Sequence, residues 1–472
     1  MTDLHLSLDR SAGRLAAQIA AGFRAAVRSG RLTAGTRLPS SRDLARDLDV
    51  SRGVVVTAYE QLTAEGFLIA RRGDGTRIAP LARPDEEIGP PPGPPPRPAE
   101  PRTEPAVLYD LTPGQPDLSA FPRERWIAAA RTALRTLPHD ALAYPDPAGV
   151  PDLRAELASY LGRVRAAHAD PGRIVIMNGV AQGLSGLLGQ LLSDGHTALA
   201  VEDPTSVRQL PMLAAAGVRL VRVPVDEEGL DVAALARTQA RAVLVTPAHQ
   251  YPTGVVLSPA RRAALIAWAR DADGVVLEDD YDAEFRYDRD PVGCLQGVDP
   301  DRVVLLGSVS KSLAPALRLG WALAPPFLAE GLREHRTNTD LGAPVLEQYA
   351  LTEFLRGGGY DRHLRTMRRR YRARRDALAG ALAENLPGAR VHGVSAGIHL
   401  YVELPGGCDE DRVVERAARA GVSVAGARAM WSARRAEEAP PALVLGYAGL
   451  PEPRLVKAAQ LLGQAVAHGD GG

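Results

Sequence analysis

At 472 residues, 45% of them hydrophobic and 24% charged, the chain is long enough for two or three domains with sizeable cores, and its composition excludes overall disorder. Lys plus Arg number 56 and Asp plus Glu number 56, so the whole molecule is no polycation, while only two cysteines, Cys294 and Cys408, argue against a disulfide scaffold or a thiolate zinc cluster. The opening MTDLHLSLDR has acids and no apolar core, unlike a signal peptide, and no apolar run approaches membrane-spanning length; a reducing cytoplasm is the expected compartment.

Residues 1–80 carry twelve arginines against eight acidic residues, a local surplus that favours a nucleic-acid surface. Within them LPSSRDLARDLDVSRGVVVTAYEQLTAEGFL (38–68) predicts two short helices. Ser40 caps the first, with Asp43 returning a bond to the Ser40 backbone N–H in a capping box, and Leu44 and Leu48 share its inner face. Ser51 caps the second after a tight turn at Asp49-Val50, and Val54, Ala58 and Leu62 form its expected buried stripe. Helices joined this closely fit a helix-turn-helix, whose second helix presents Arg52 to base edges, with Thr57 and Arg42 as phosphate or edge contacts. GFLIARRGDGTRIA (66–79) reads as a hairpin, with Arg71 and Arg72 ahead of a turn at Gly73-Asp74-Gly75 and Thr76 and Arg77 on the return strand, placed to meet a groove or phosphates.

Residues 11–79 resemble the winged helix of the GntR superfamily, with 38–68 closely following its pattern. The resemblance implies operator binding, normally as a dimer, with the second helix in the major groove; from the residues themselves, the expected DNA-contact set is Ser40, Arg42, Ser51, Arg52, Thr57, Arg71, Arg72, Thr76 and Arg77.

PDEEIGPPPGPPPRPAEPRTEP (84–105) is too rich in proline for helix or sheet ladders and reads as an extended spacer. The expected organisation is therefore a head at 1–80, a linker at 81–106 and a large domain at 107–472. In the last, RIVIM, TALAVE, VRLVRVPV, RAVLVTP, GVVLEDD and RVVLLGS alternate with helical stretches, as in a mainly parallel sheet covered on both faces. After about residue 340 a long helical region includes HLRTMRRRYRARRDALAGAL, whose arginine run reads as a solvated helix face. An α+β tail with AGIHLYVEL and ALVLGYAGL completes a smaller subdomain from about 345 to 472.

GSVSKSLAPALRLGW (307–321) carries the chemistry. A lysine becomes a covalent catalyst when its amine condenses with an aldehyde, most often that of pyridoxal phosphate, and the cofactor needs a phosphate cradle, an acid facing its pyridine nitrogen and donors to its phenolic oxygen. Ser308 and Arg318 flank Lys311 and suit phosphate. NGVAQGL (178–184) opens a helix after a strand, so the N–H groups of Val180 and Ala181 can hold phosphate oxygens, with Gln182 adding a side-chain contact. Asp279 ends a strand, where sites in α/β sheets gather. His249 reads as a pocket or loop hydrogen-bonder, and no metal site is expected.

From about Tyr109 onward the chain resembles fold-type-I aminotransferases, on YPDPAGVPDLR, NGVAQGL, TPAHQYPTG, EDDYDAEF and SVSKSLAPALRLGW. The resemblance makes Lys311 the Schiff-base lysine, Asp279 the pyridine partner, Tyr281 a donor to the phenolic oxygen and Ser308 and Arg318 phosphate ligands, and puts Tyr251 where the family carries an asparagine. Together with the head, the chain resembles the MocR subfamily of regulators. That implies a multidomain protein, a winged helix-turn-helix joined to an α/β transferase-like domain with a small α+β subdomain. A homodimer, often head-to-tail, is implied with it, the large domain sensing a ligand.

Two positions depart from the pattern. Thr205 and Ser206 follow Pro204 where a ring-stacking tyrosine is usual, and Val444 stands where an arginine usually pairs with a substrate carboxylate, with Arg428 as a conceivable substitute. The expected function is a transcriptional regulator in which pyridoxal phosphate, bound at Lys311, is itself the signal. The alternatives are an aminotransferase with a DNA-binding appendix and a regulator whose large domain only dimerises.

Overall fold

The computed structural model describes residues 8–71, 75–80, 107–288 and 292–467. The chain divides into two compact units, Met1–Arg102 and Thr103–Gly472. The spacer expected at 81–106 lies outside the described residues.

In the first unit three helices, α1 (Leu15–Arg28), α2 (Ser41–Asp47) and α3 (Arg52–Ala64), precede an antiparallel hairpin of β1 (Leu68–Arg71) and β2 (Gly75–Ile78). Its core gathers Ile19 and Phe23 of α1, Leu44 of α2, Val55 and Leu62 of α3, and Leu68 and Ile78 of the hairpin. Ser40 caps α2 by accepting from the Asp43 N–H at 3.2 Å. The return bond differs from expectation: the Asp43 carboxylate accepts the Ser40 hydroxyl at 2.6 Å rather than its backbone N–H, because an aspartate is one methylene shorter than the glutamate of a full capping box. Ser51 occupies the N-cap position of α3 with extended backbone but makes no side-chain cap bond. The buried stripe of α3 is also rotated by one position. Val55, Ala58, Tyr59 and Leu62 are buried and Val54 only partly so, because the Tyr59 ring packs edge-on against Phe23 and its hydroxyl donates to the Pro39 carbonyl at 2.9 Å.

In the second unit the predicted apolar runs become β3 (Ile174–Met177), β4 (Ala198–Asp203), β5 (Arg219–Asp226), β7 (Ala242–Val245), β8 (Val275–Asp279) and β9 (Val303–Ser308), with a short edge strand β6 (Gly229–Leu230). A further strand, β10 (Gly320–Leu323), lies between β3 and β9 and runs antiparallel to both, giving the order β3-β10-β9-β8-β7-β4-β5-β6. Four residues opened by a glycine gave no run to detect. The two faces of the sheet alternate by residue. Val201, Leu244, Leu277 and Leu306 pack with Leu184, Leu187 and Leu191 of α4 (Val180–Ser193), while Ala200, Val243, Val276 and Val303 pack with Leu265, Ile266 and Trp268 of α5 (Pro259–Asp271). The carboxyl ends of β4, β7, β8 and β9 therefore open together on one edge of the sheet, where a doubly covered α/β sheet keeps its sites.

Beyond the sheet, the long helix α6 (Gly359–Asn385) shares a core with α7 (Glu452–Ala467) through Tyr371, Leu378 and Leu382 against Leu455 and Leu462. A four-stranded antiparallel sheet follows α6, with Arg390–His392, His399–Glu403, Ala442–Gly446 and Ala425–Gly426 side by side in that order. Tyr109–Asp110 pairs in parallel with Val422–Ser423, fastening the start of the unit to its C-terminal part. The arginine run on α6 is not purely a solvated face. Arg370 and Arg374 both reach the buried Asp117 carboxylate, at 2.9 and 3.0 Å, and Arg374 is itself buried.

Candidate functional site

The GSVSKSLAPALRLGW segment is the connection from β9 into the antiparallel β10, closed by the Val309 N–H on the Leu319 carbonyl. This turn carries Lys311 into a cavity of about 220 Å³ at the carboxyl edge of the sheet. Asp279, Tyr281 and Tyr251 line it with Lys311, as do Thr205, Ser206, Arg208, Gln209, Thr246, Gly114 and His399. Four of the nine residues expected to hold a cofactor thus share one cavity.

The Lys311 ammonium donates to the Gly114 carbonyl at 2.5 Å. Burial holds its pKa below the ordinary lysine value, against the opposing pull of Asp282 and Asp279, and a less basic amine is a better nucleophile near neutral pH. Asp279 is buried, and burial pushes its carboxyl up to about 6 although Gln209 donates to Oδ2 at 3.1 Å. Its other oxygen, Oδ1, has no hydrogen-bond partner. A buried carboxylate oxygen without a donor is costly, and the group that would relieve it is a protonated ring nitrogen.

Tyr281 gives its phenolic hydrogen to the His249 carbonyl at 3.0 Å, and burial holds its pKa well above the usual phenol value. His249 Nδ1 stands 3.1 Å from the Tyr281 hydroxyl and 3.0 Å from Asp282 Oδ2. His399 donates its Nε2–H to the Pro252 carbonyl at 3.0 Å, and burial lowers its pKa to about 4, which keeps the ring neutral. A Cβ on Gly397 would sit 2.2 Å from His249 Cε1, so only glycine admits that ring. His249, Asp282 and His399 have ligand atoms within 4.8 Å of one another, yet Nδ1 of His249 and Nε2 of His399 are already engaged in these hydrogen bonds.

Ser308, Arg318, Val180 and Ala181 do not line the cavity: Arg318 stands beside the N-terminus of α4, which Val180 and Ala181 open, while Ser308 ends β9 with its hydroxyl accepting from the Ser310 N–H at 3.3 Å. Arg318, in left-handed backbone at φ 53°, donates to the Asn178 carbonyl at 2.6 Å. Gly179 has φ +84°, and a Cβ there would lie 2.8 Å from Arg318 Nη2. Among the described residues the Val180 and Ala181 N–H groups have no acceptor, as the first turn of a helix leaves them. Gln182 is turned elsewhere: its side chain accepts from Asn178 N at 2.7 Å and donates to Asp340 at 2.6 Å, so the phosphate contact expected of it is corrected to a structural one.

The residues that sequence reasoning passed over are Gln209, Arg208, His399 and Gly114, the last through its backbone carbonyl. Arg208 lines the cavity and has no hydrogen bond or ion pair among the described residues. Arg428, the suggested replacement for a substrate-binding arginine, is exposed and outside the cavity lining. Val444 is fully buried among Tyr401, Ala427 and Met430, with Tyr251 packed on the same cluster.

On the head, Arg42 and Thr57 are exposed on α2 and α3, and Arg52 opens α3, where its Nε reaches the Ser41 hydroxyl at 3.3 Å. Ser40 and Ser51 are exposed at the two helix starts. Thr76 is half-buried, and Arg77 donates to the Gly35 carbonyl at 2.9 Å, holding the hairpin to the loop before α2. Arg72 and the side chain of Arg71 lie outside the described residues.

Comparison with known proteins accounts for both units. Residues 107–427 match the aminotransferase class I and II family, and residues 15–78 match the bacterial regulatory proteins of the gntR family. The HTH-type pyridoxine biosynthesis transcriptional regulator PdxR of Corynebacterium glutamicum is 36% identical over 93% of this chain and 93% of its own length. The probable rhizopine catabolism regulatory protein MocR of Rhizobium meliloti is 33% identical over 94% and 92%. The chain belongs to the MocR subfamily of GntR-type regulators. Among solved structures, this MocR-type chain is similar to Pyrococcus horikoshii kynurenine aminotransferase, at 26% identity and a TM-score of 0.69 over 78% of this chain and 92% of that one. It is also similar to the alpha-aminoadipate aminotransferase LysN of Thermus thermophilus, at 28% identity and a TM-score of 0.68 over 76% and 92%. The large unit has the fold of a type-I pyridoxal-phosphate transferase.

Proposed function

We propose that this protein is a DNA-binding transcription factor of the cytoplasm, a homodimer whose aminotransferase-like domain takes up pyridoxal phosphate and whose operator affinity changes when it does. The observation that carries the reading is the pairing, in one cavity, of Lys311 with depressed basicity and Asp279 with an unpartnered buried oxygen. Pyridoxal phosphate, when bound, supplies an electrophilic carbonyl and an electron-withdrawing ring.

The chain's own residues would divide the work. Lys311 offers the amine and leaves the Gly114 carbonyl to do so. Asp279, steadied by Gln209, would keep a proton on the ring nitrogen. Tyr281, fixed by the His249 carbonyl, would serve the phenolic oxygen, and the α4 N-terminus with Ser308 and Arg318 would hold the phosphate. Thr205 and Ser206 provide no aromatic face, so Tyr251 and His399, whose rings lie 5.1 Å apart in the cavity wall, are the flat groups available to a ring. Arg208 offers a cation to an anionic effector.

Transamination is the weaker reading, since Val444 is sealed in the core and Arg428 lies outside the cavity. The deciding experiment titrates pyridoxal phosphate into the wild type and Lys311→Ala while recording visible absorption, and measures affinity for a duplex selected from random sequences. The wild type should gain a saturable visible band and a changed duplex affinity, both lost in the variant. A band without any change in duplex affinity would leave a cofactor-binding domain that senses nothing.

A further inference from the structure

The arginine run on α6 does two jobs on its two faces. Inward, Arg370 and Arg374 hold Asp117 and Arg368 donates to the Glu284 carbonyl. Outward, Arg362, Arg365 and Arg369 join Arg125, from the separate helix Arg123–Thr136, around a surface recess of about 490 Å³ whose remaining lining is Thr366 and Arg368. No carboxylate lines it. The neighbouring acid Asp361 is paired with Arg163 at 2.9 Å. Arg125, Arg365 and Arg369 are exposed and have no hydrogen bond or ion pair among the described residues.

Arginines at such spacing repel one another, and of the three on the outward face only Arg362 has a partner among the described residues, donating to the Gly357 carbonyl at 2.8 Å. Burial holds the pKa of His363 below its ordinary value against the opposing bond to the Ser312 carbonyl, and Arg125 of this face and Arg370 of the inner one lower it further. Arg362, Arg365, Arg369 and exposed Arg372 recur at helical spacing on one face, a stripe of about 15 Å at 1.5 Å per residue. A stripe is matched to a polymer. Successive phosphates along one DNA strand advance about 3.4 Å along the duplex axis, so it spans several of them, whereas a single phosphate would meet one or two guanidinium groups.

We infer that this arginine face is a second, sequence-independent binding site for the phosphate backbone of duplex DNA, carried on the aminotransferase-like domain. The inference rests on the DNA-binding reading of the chain, which makes duplex DNA the polyanion within reach. The face adds affinity and salt dependence and reads no bases.

The test uses the full-length protein and a long random-sequence duplex, with Arg365→Gln/Arg369→Gln and Arg365→Glu/Arg369→Glu beside the wild type and Arg52→Ala. Equal thermal unfolding establishes that the variants are folded. The slope of log affinity against log salt should flatten by about two in the Gln pair, and low-salt affinity should fall roughly tenfold or more in the Glu pair. Arg52→Ala should weaken binding to a selected operator while leaving the contribution of the α6 face in place. Folded variants with an unchanged slope would overturn this site alone. Variants that alter the dimer mass by light scattering and not the slope would assign the face to a second copy of the chain and overturn it equally. A wild type that binds no duplex at all would sink the DNA-binding reading together with it.

Discussion

The two oxygens of Asp279 live in different surroundings, one held by Gln209 and the other unpartnered, and that asymmetry has a measurable consequence. In cofactor-free protein its pKa is raised by burial from 3.8 to about 6, so the folded state binds the proton more tightly than the unfolded state. The destabilisation is absent below about pH 3.8, grows as pH rises and is complete above about pH 6, worth up to about 3 kcal/mol at 1.36 kcal/mol per unit. Asp279→Asn in stripped protein is expected to be more stable than the wild type at pH 8, with the gap closing as pH falls through 6, as chemical unfolding at a series of pH values would record. A wild type equally stable at pH 8 would mean that Asp279 has found a donor. Asp279 and Lys311 were legible in the sequence because each sits just after an apolar strand run. Gln209, Arg208 and His399 were not, since they reach the cavity from a loop and from a strand of another sheet, and no local spacing marks their convergence.

At the level of elements, continuous apolar runs found the parallel strands because both faces of that sheet are covered. Period alone could not orient α3. Val54, Ala58 and Leu62 fit an i, i+4, i+8 stripe as well as Val55, Ala58 and Leu62 fit i, i+3, i+7, and the choice is made by Tyr59, whose ring and hydroxyl are both satisfied only when it turns inward. The two valines are therefore unequal. Val55, with no exposure, should cost about 2–3 kcal/mol of head stability when changed to alanine, from lost transfer energy and the cavity left behind, and the half-buried Val54 less than about 1. Urea unfolding of the two single variants, followed by a signal from the head, separates these values; equal losses would return the helix to the orientation first expected from its sequence.

On the scale of the whole molecule, the proline-rich stretch at 84–105 made the division into two units readable, and the relatives matched across more than nine-tenths of the chain carry the same pairing of head and large domain. What the sequence could not carry is the link from the cavity to the surface. Ser312, next to Lys311, accepts the Tyr360 hydroxyl at 2.8 Å and accepts from His363 at its carbonyl, both on α6, so the segment that carries Lys311 touches the helix that carries the arginine face. Contact alone establishes no coupling; differential affinity does. If pyridoxal phosphate changes affinity for a selected operator by some factor, then saturating operator must change affinity for pyridoxal phosphate by the same factor, in the same direction, and regulatory couplings are typically about 5- to 150-fold. Two titrations check it: operator binding with and without pyridoxal phosphate, and the visible band with and without operator. Equal factors identify a single coupled equilibrium. An operator affinity that shifts while the cofactor titration stays put would violate that cycle for one protein species, and would trace the shift to a second process such as a change in assembly.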